Sequence, residues 1–344
     1  MGYPISVNSR IPVIIDSDGG IDDSAALWWM TSCGLFEIVA ITVVYGNVPL
    51  RQAANNIVAT VRAAGLQGVP IALGAESSLA AKPTKDHATH IHGDSGLGDR
   101  RIGEQGFSYS TESASDLIVR LCSERPGEIS LLGLGPATNI ALALRQDHYL
   151  ASKIMDMTYM GGTVYPPGNI TPVATFNVGS DPVSAKEMFE ADWQRPPLLV
   201  PFDTSIRCTM GSTEFELADI KITAAAEFLA GPLAYYREST RMQMPTESRG
   251  SELAIHDALT AMTLAFPDIV EVEQLPVTVD VGGDAAWGMT VVDHRAKSTN
   301  QVTSGEPDGL HYRTPFKKSI WRLAINADTE LFRKNLRKMF GESE

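Results

Sequence analysis

The sequence has few cysteines, no long apolar run and a poor match to a secretory leader. Cys33, Cys122 and Cys208 lie far apart, without a CxxC or Cys-His pattern that would indicate zinc or a disulfide framework. No stretch of about eighteen apolar residues occurs, and the first ten residues lack an apolar core. We therefore expect a cytoplasmic protein without a membrane partner.

Positive charge is also scarce. The 28 Lys and Arg residues are outnumbered by 41 Asp and Glu residues, which gives a formal net charge of −13, and no run of basic residues is present. We expect no nucleic-acid partner, because phosphate backbones are bound by clustered Lys and Arg. The acidic balance also disfavours phosphorylated ligands and favours a neutral small molecule.

Apolar runs of strand length alternate with helical patterns along most of the chain. We predict strands at residues 11–16, 36–44, 69–73, 128–134, 155–160, 198–202, 276–281, 290–292 and 319–324. The alternation predicts one α/β domain spanning residues 1–344, a mainly parallel central sheet flanked by helices with a Rossmann-like core. Ligands bind such sheets beyond the carboxyl ends of the strands, where we expect the active site.

Four aspartates crowd the turn between the first strand and the first helix. Asp16, Asp18, Asp22 and Asp23 fall within eight residues. Like charges so close repel one another unless a cation holds them or some keep a proton, so the cluster indicates a metal. Helix capping accounts for one aspartate but not for four. Since no His or Cys lies nearby in the sequence, oxygen ligands favour Ca²⁺ or Mg²⁺ over zinc, although the spacing does not fit an EF-hand.

The same turn allows a second interpretation. Asp16 and Asp18 resemble the Asp-x-Asp start of haloacid-dehalogenase-type phosphatases, in which the first aspartate is the nucleophile. That pattern normally has threonine where Gly20 stands, and it does not account for Asp22 and Asp23. On the opening turn alone, this phosphatase remains the main alternative.

Eight segments together resemble the inosine-uridine-preferring nucleoside hydrolase family. In the family's order they are Asp16-Ser-Asp-Gly-Gly-Ile-Asp-Asp23, Val44-Tyr-Gly-Asn47, His92-Gly-Asp-Ser-Gly-Leu-Gly98, Leu134-Gly-Pro-Ala-Thr-Asn-Ile-Ala-Leu142, Met160-Gly-Gly, Gly168-Asn-Ile-Thr-Pro172, Phe176-Asn177 with Asp181-Pro182, and His256-Asp257. Each segment is weak alone, but eight in order are specific. The resemblance implies Ca²⁺-dependent hydrolysis of a ribonucleoside to ribose and free base.

The resemblance also implies roles for individual residues. Asp18 would be both a metal ligand and the base that activates a metal-bound water, and His256 would protonate the departing base. Asp16 would orient the ligands. The remaining implied metal ligands are Asp23, Asp257 and the carbonyl of Leu134, and the implied substrate-binding residues are Asp22, Asn47, His92, Met160, Asn169, Thr175, Phe176 and Asn177.

Two positions depart from the family pattern. Gly19 stands where most members have proline, although some purine-specific members have glycine there. Thr175 stands where the family commonly has the glutamate that holds the ribose 5′-hydroxyl, so a 5′-modified or deoxy sugar becomes a reasonable substrate. Candidates for binding the base are Tyr235, Tyr236, Thr240, Met244 and Trp287, and base specificity stays open.

Two further expectations accompany the resemblance. By analogy with relatives, we expect a homodimer or homotetramer. A Ca²⁺-dependent protein that binds ribosides without turning them over is the non-enzymatic alternative.

Overall fold

A nine-stranded mixed sheet organises the chain. The structure is a computed structural model that describes residues 10–80, 87–98, 100, 106–243, 252–295 and 319–342. In chain order the strands are β1 (Ile11–Ser17), β2 (Phe36–Val43), β3 (Ile71–Leu73), β4 (Ser130–Gly133), β5 (Met157–Met160), β6 (Leu198–Val200), β7 (Thr209–Met210), β8 (Leu253–Ala254), β9 (Val270–Val279), β10 (Thr290–Val292) and β11 (Ile320–Ala327). Only β7 and β8 stand apart from the large sheet, as a short antiparallel ribbon.

Helices connect most of these strands. They are α1 (Ile21–Ser32), α2 (Leu50–Ala63), α3 (Thr89–His92), α4 (Ala114–Glu124), α5 (Thr138–Gln146), α6 (Leu150–Lys153), α7 (Phe176–Ser180), α8 (Pro182–Phe189), α9 (Phe202–Ser205), α10 (Ser212–Ile220), α11 (Ala224–Gln243), α12 (His256–Ala265) and α13 (Thr329–Met339). None of the helices in the described ranges is both long and apolar enough to cross a membrane.

The strand order is β10-β9-β11-β6-β5-β4-β1-β2-β3. Every pair from β11 to β3 is parallel, while β9 runs antiparallel to both β11 and β10. The predicted α/β fold with a mainly parallel sheet is confirmed. The largest difference lies in β9, which begins at Val270 instead of 276, because exposed or partly exposed Glu271, Glu273 and Gln274 conceal its first half in the sequence.

Strand β1 lies in the interior of the sheet, between β4 and β2, and is buried on both faces. Val13 and Ile15 pack into one hydrophobic core, together with α1, α2, α11 and α12, whereas Ile14 packs into the other with α4, α5 and α8. Such two-sided burial is typical of central parallel strands, which carry continuous apolar runs. Asp16 therefore lies near the end of a buried interior strand, and Asp18, Asp22 and Asp23 follow that strand at the carboxyl edge of the sheet.

Candidate active site

The ends of four parallel strands bring the predicted site residues to one edge of the sheet. Asp18 follows β1, Leu134 follows β4 and Gly161 follows β5, while Asn47 lies four residues after β2. A cavity of about 370 Å³ opens at this edge. The predicted residues that line it are Asp22, Asn47, His92, Leu134, Met160, Asn169, Thr175, Phe176, Asn177, His256 and Asp257. Asp18 and Asp23 do not line it and are almost completely buried.

Three carboxylates from two helix N-termini form the centre of the site. Asp22 and Asp23 lie in the first turn of α1, and Asp257 lies in the first turn of α12. One carboxylate oxygen from each lies within 4.8 Å of the others, and all three side chains are buried. The backbone N–H of Asp257 also donates to the carboxylate of Asp22, which links the two helix ends. We call these residues the carboxylate group.

The carboxylate group suits a divalent cation. Burial and the charge of Asp23 raise the pKa of Asp22 to about 8, and burial followed by the charge of Asp22 raises that of Asp257 well above its usual range. No Lys or Arg occurs among the described residues that line the cavity. A cation would relieve this repulsion, and hard oxygen donors fit Ca²⁺ or Mg²⁺. The group could therefore bind a metal.

Asp18 is held in one orientation by Asn47. The backbone N–H of Asn47 donates to Oδ2 of Asp18 over 2.9 Å, and its Nδ2 donates to Oδ1 over 2.8 Å. Gly46 allows this approach, since a Cβ there would lie 2.0 Å from Oδ2 of Asp18. Burial and the charge of Asp23 raise the pKa of Asp18 well above its usual range. Asn47, predicted to line the sugar site, thus also orients a carboxylate.

Asp23 is fixed by its own turn. The hydroxyl of Ser17 and the backbone N–H of Asp18 donate to its Oδ1, and the N–H of Gly20 donates to its Oδ2 over 2.9 Å. Sequence reasoning missed Ser17, because a serine between two aspartates carries no distinctive signal. The α1 end of the site is therefore positioned mainly by residues within one turn.

Asp16 lies away from the cavity. Its Oδ1 accepts hydrogen bonds from Asn139 Nδ2 (2.7 Å) and Thr42 Oγ1 (2.6 Å), which tie β1 to α5 and β2. Burial raises its pKa to about 7. Asp16 is fully buried and does not line the cavity, so an incoming phosphate ester could not reach it as the phosphatase interpretation requires.

His256 lines the cavity beside the carboxylate group. Its Nδ1 lies 2.8 Å from the hydroxyl of Ser205, and its ring lies 5.4 Å from that of Phe202. Burial lowers its pKa to about 4, so the imidazole is neutral at neutral pH. Sequence reasoning missed Ser205 and Phe202, which follow β6 without any recognisable motif.

His92 contributes a second neutral imidazole. Its Nδ1 accepts the backbone N–H of Ile21 over 3.2 Å at the start of α1, and its ring packs 4.8 Å from that of Tyr236. Burial lowers its pKa to about 3. Since Nδ1 accepts a hydrogen bond, the ring hydrogen lies on Nε2.

Comparisons with known proteins agree with this geometry. The profile of the family described as inosine-uridine preferring nucleoside hydrolase matches residues 13–333. The inosine-uridine preferring nucleoside hydrolase of Crithidia fasciculata is 30% identical over 320 residues, which cover 92% of this chain and 96% of that protein. The chain belongs to the inosine-uridine preferring nucleoside hydrolase family. It is therefore a nucleoside hydrolase, an enzyme that cleaves N-glycosidic bonds.

Two further relatives extend the comparison. The probable uridine nucleosidase 2 of Oryza sativa subsp. japonica is 32% identical over 85% of this chain and 86% of its own length. A solved plant nucleoside hydrolase, the PpNRh1 enzyme, superposes with a TM-score of 0.88 at 24% identity, covering 97% of this chain and all of the other. The second likeness confirms the fold.

The amide of Asn177 organises one wall of the nucleoside hydrolase cavity. Its Nδ2 donates to the carbonyls of Leu134 (2.7 Å) and Met160 (3.0 Å), which follow β4 and end β5. A carbonyl oxygen has two lone pairs, so Leu134 can accept this hydrogen bond and still serve as a metal ligand. Asn177 therefore fixes a predicted ligand besides lining the cavity.

A second wall is formed by the segment that leads into α7. Thr175 Oγ1 accepts the N–H of Gly162 over 2.8 Å, and Asn169 Oδ1 accepts the N–H of Phe176 over 2.9 Å. Ile170 and Thr171 also line the cavity here. No ionisable side chain occurs in residues 169–177, so this wall of the nucleoside hydrolase is uncharged.

Two of the candidates for base binding line the cavity, and two others do not. Tyr236 and Thr240 of α11 line the cavity, whereas Tyr235 and Trp287 do not, and Met244 lies outside the described residues. His87, His90 and Glu252 line the cavity without having been assigned a role from the sequence. His87 and His90 fall in the segment between β3 and α4.

Proposed function

We propose that this nucleoside hydrolase releases the free base from ribonucleosides with one Ca²⁺, held by Asp23 and Asp257 of the carboxylate group together with Asp18 and the carbonyl of Leu134. The observation that carries the proposal is the carboxylate group itself, which is buried at the carboxyl edge of the sheet beside a cavity lined by no Lys or Arg among the described residues. The relatives named for inosine and uridine support purine or pyrimidine ribonucleosides as substrates.

Four residues would hold the ion. They are Asp18, Asp23, Asp257 and the carbonyl of Leu134. In support, the backbone N–H of Asp18 donates to Asp23, and, besides burial, the charges of Asp23 and Asp18 contribute to the raised pKa of Asp257. When bound, Ca²⁺ supplies positive charge that holds the ribose hydroxyls and makes a water more acidic. Asp22 lies in the same carboxylate group, and its proposed role is to accept hydrogen bonds from the ribose hydroxyls.

Asp18 would accept the proton of the attacking water. Asn47 uses two donors to keep both oxygens of Asp18 in place, so the carboxylate needs little reorganisation during the reaction. Cleavage of a glycosidic bond develops oxocarbenium character on the sugar, and nearby carboxylates stabilise that positive charge. Asp18 would therefore act on the water, and the carboxylate group would act on the ribose.

His256 would donate to the departing base. With its pKa lowered by burial, the ring is neutral and can donate only through one nitrogen. If the Ser205 hydroxyl donates to Nδ1, the hydrogen of His256 lies on Nε2, from which it can reach a ring nitrogen or carbonyl of the base. Ser205 would thus select the tautomer that assists departure.

The remaining contacts would bind the sugar. Asn169, Asn177, Met160 and Phe176 line the cavity, and Thr175 would meet the 5′ end of the ribose. Because the wall around Thr175 is uncharged, we propose that the enzyme accepts 5′-deoxy or 5′-substituted ribonucleosides. A homodimer or homotetramer is proposed by analogy, and light scattering would measure it.

A screen for reducing-sugar release tests the function. Inosine, uridine and their 5′-deoxy analogues would be compared at equal concentration, with Asp18→Asn as the control. We expect ribose release by the native enzyme and a tolerance for 5′ modification. If none of the ribosides releases its sugar, the proposed hydrolase function is wrong. Tight binding without release would favour the non-enzymatic alternative. A clear preference for unmodified ribonucleosides would defeat only the proposal about the 5′ end.

A further inference from the structure

The β7–β8 ribbon connects the cavity with the C-terminal helix. The N–H of Ile255 donates to the carbonyl of Cys208 over 3.2 Å, which extends the pairing of the two strands. Leu253 and Ala254 line the cavity, and α12 begins at His256. The ribbon therefore determines where the first turn of α12, with its histidine and aspartate, is placed.

Arg333 of α13 joins the helix to both sides of this ribbon. Its Nε donates to the carbonyl of Thr209 over 3.0 Å, and its Nη2 donates to the hydroxyl of Thr209 (2.8 Å) and to Oε1 of Glu252 (3.0 Å). The Thr209 hydroxyl donates in turn to Oε2 of Glu252 over 2.6 Å. One guanidinium thus bridges β7 and the residue that precedes β8.

The hydrogen bonds of Arg333 should contribute more to stability than a surface ion pair does. Thr209 is only 2% exposed, and the planar guanidinium makes three directed hydrogen bonds there instead of one point contact. Glu252 also lines the cavity that holds the carboxylate group. Arg333 therefore both fixes the ribbon and places positive charge beside a carboxylate at the cavity wall.

We propose that Arg333 is a positioning residue of the active site. Acting through Thr209 and Glu252, it holds the ribbon that places His256 and Asp257. The inference rests on the proposed function, in which Asp257 is a Ca²⁺ ligand. It predicts that a change on the C-terminal helix, remote from the reacting atoms, alters metal and substrate binding.

The same helix provides a matched control. Arg337 also bonds two carboxylates, Glu214 over 3.0 Å and Glu342 over 2.8 Å, and neither belongs to the ribbon. Arg337→Ala therefore removes comparable ion pairs from α13 while leaving the contacts of Arg333 in place. A general loosening of the helix would affect both variants alike.

The experiment compares Arg333→Ala, Arg333→Lys and Arg337→Ala. Ca²⁺ affinity would be measured by calorimetry, KM and kcat with the best riboside, and Tm by thermal unfolding. We expect Arg333→Ala to weaken Ca²⁺ affinity and raise KM by about tenfold, as for residues that orient metal ligands. Arg337→Ala is expected to stay within about twofold of the native enzyme in both, with a comparable fall in Tm.

Arg333→Lys adds a rescue test. It keeps a positive charge beside Glu252 but loses the paired donors to Thr209, so we expect intermediate Ca²⁺ affinity. Thr209→Val removes only the bridging hydroxyl and provides a milder variant if Arg333→Ala does not fold. It is expected to weaken Ca²⁺ affinity by about threefold.

Two results would overturn the positioning role. One is native Ca²⁺ affinity and KM in the folded Arg333→Ala variant, or in Thr209→Val if the former does not fold. The other is an equal loss in Arg333→Ala and Arg337→Ala. Failure of the native enzyme to bind Ca²⁺ or release ribose would instead defeat the proposed function, so the two failures can be told apart.

Discussion

The two helix N-termini that form the carboxylate group are positioned in different ways. At α1, Asp23 is held by Ser17 and Gly20 of its own turn, and Asn47 of the next strand-to-helix loop holds Asp18. At α12, His256 lies beside Ser205, and the ribbon that leads into the helix is bonded to Arg333 of α13. One half of the site is built locally, and the other half is built by tertiary structure.

This difference explains which parts of the site each substitution should affect. Changes in the α1 turn should act directly on the carboxylates that we propose bind the ion and accept the proton. Changes around α12 should act on the proposed contact with the departing base and, through Asp257, on the proposed metal site. The cavity wall at Thr175 belongs to neither helix end, so it should influence substrate choice more than catalysis.

The largest effect is expected at the α1 end. Asp18→Asn removes the proposed proton acceptor while keeping its size, and its single amide oxygen can still accept one of the two hydrogen bonds from Asn47. We expect kcat to fall by about 10³-fold, in the range attributed to a general base. Steady-state ribose release would measure it, with Asp22→Asn as the comparison. Near-native kcat in Asp18→Asn, together with a large loss in Asp22→Asn, would assign the proton acceptor to Asp22.

A smaller effect is expected at the α12 end. His256→Ala removes the proposed donor to the base, and we expect a loss in kcat of about 10²-fold that is greatest for bases that leave poorly. Ser205→Ala keeps the imidazole but frees its tautomer, so its loss should be about tenfold and in the same order of bases. If both variants lose the same factor in kcat for every base, relative to the native enzyme, that result would contradict a role in base departure.

The smallest effect on turnover is expected at the uncharged cavity wall formed by residues 169–177. Thr175→Glu places a carboxylate near the 5′ end of the ribose, where it can accept a hydrogen bond from a 5′-hydroxyl. We expect kcat on inosine to change by less than about threefold, while kcat/KM shifts toward 5′-hydroxyl substrates over 5′-deoxy analogues by about tenfold. An unchanged ratio would show that Thr175 does not meet the 5′ end.

The sequence predicted the locally built half of the site better than the other half. The aspartates of the α1 turn are adjacent in sequence, and β1 to β6 are apolar runs separated by helices, so both pattern and order were readable. Strands β7 and β8 have two residues each, too few to show a period. Ser205 and Arg333 could not be recognised from the sequence, because only the fold places Ser205 beside His256 and Arg333 beside the ribbon.

Some roles of the predicted site residues could not be read from local sequence patterns. Asn47 and Asn177 were predicted to bind the sugar and both line the cavity, but a motif cannot show that their amides also hold Asp18 and the carbonyl of Leu134. Asp16 belongs to the same motif as its neighbours, yet alternation along β1 directs it to Asn139 and Thr42. Asp16 therefore has a different environment from the other aspartates of the motif because of its position on strand β1.

The most direct test of the account is the number of Ca²⁺ ions bound by the native enzyme and by variants at each helix end. Calorimetry on metal-depleted protein should show one ion per chain for the native enzyme. Asp23→Ala at α1 and Asp257→Ala at α12 should each abolish this binding, because both helix N-termini contribute to one ion. Retention of the bound ion after either substitution, in folded protein, would contradict a metal site shared between the two helices.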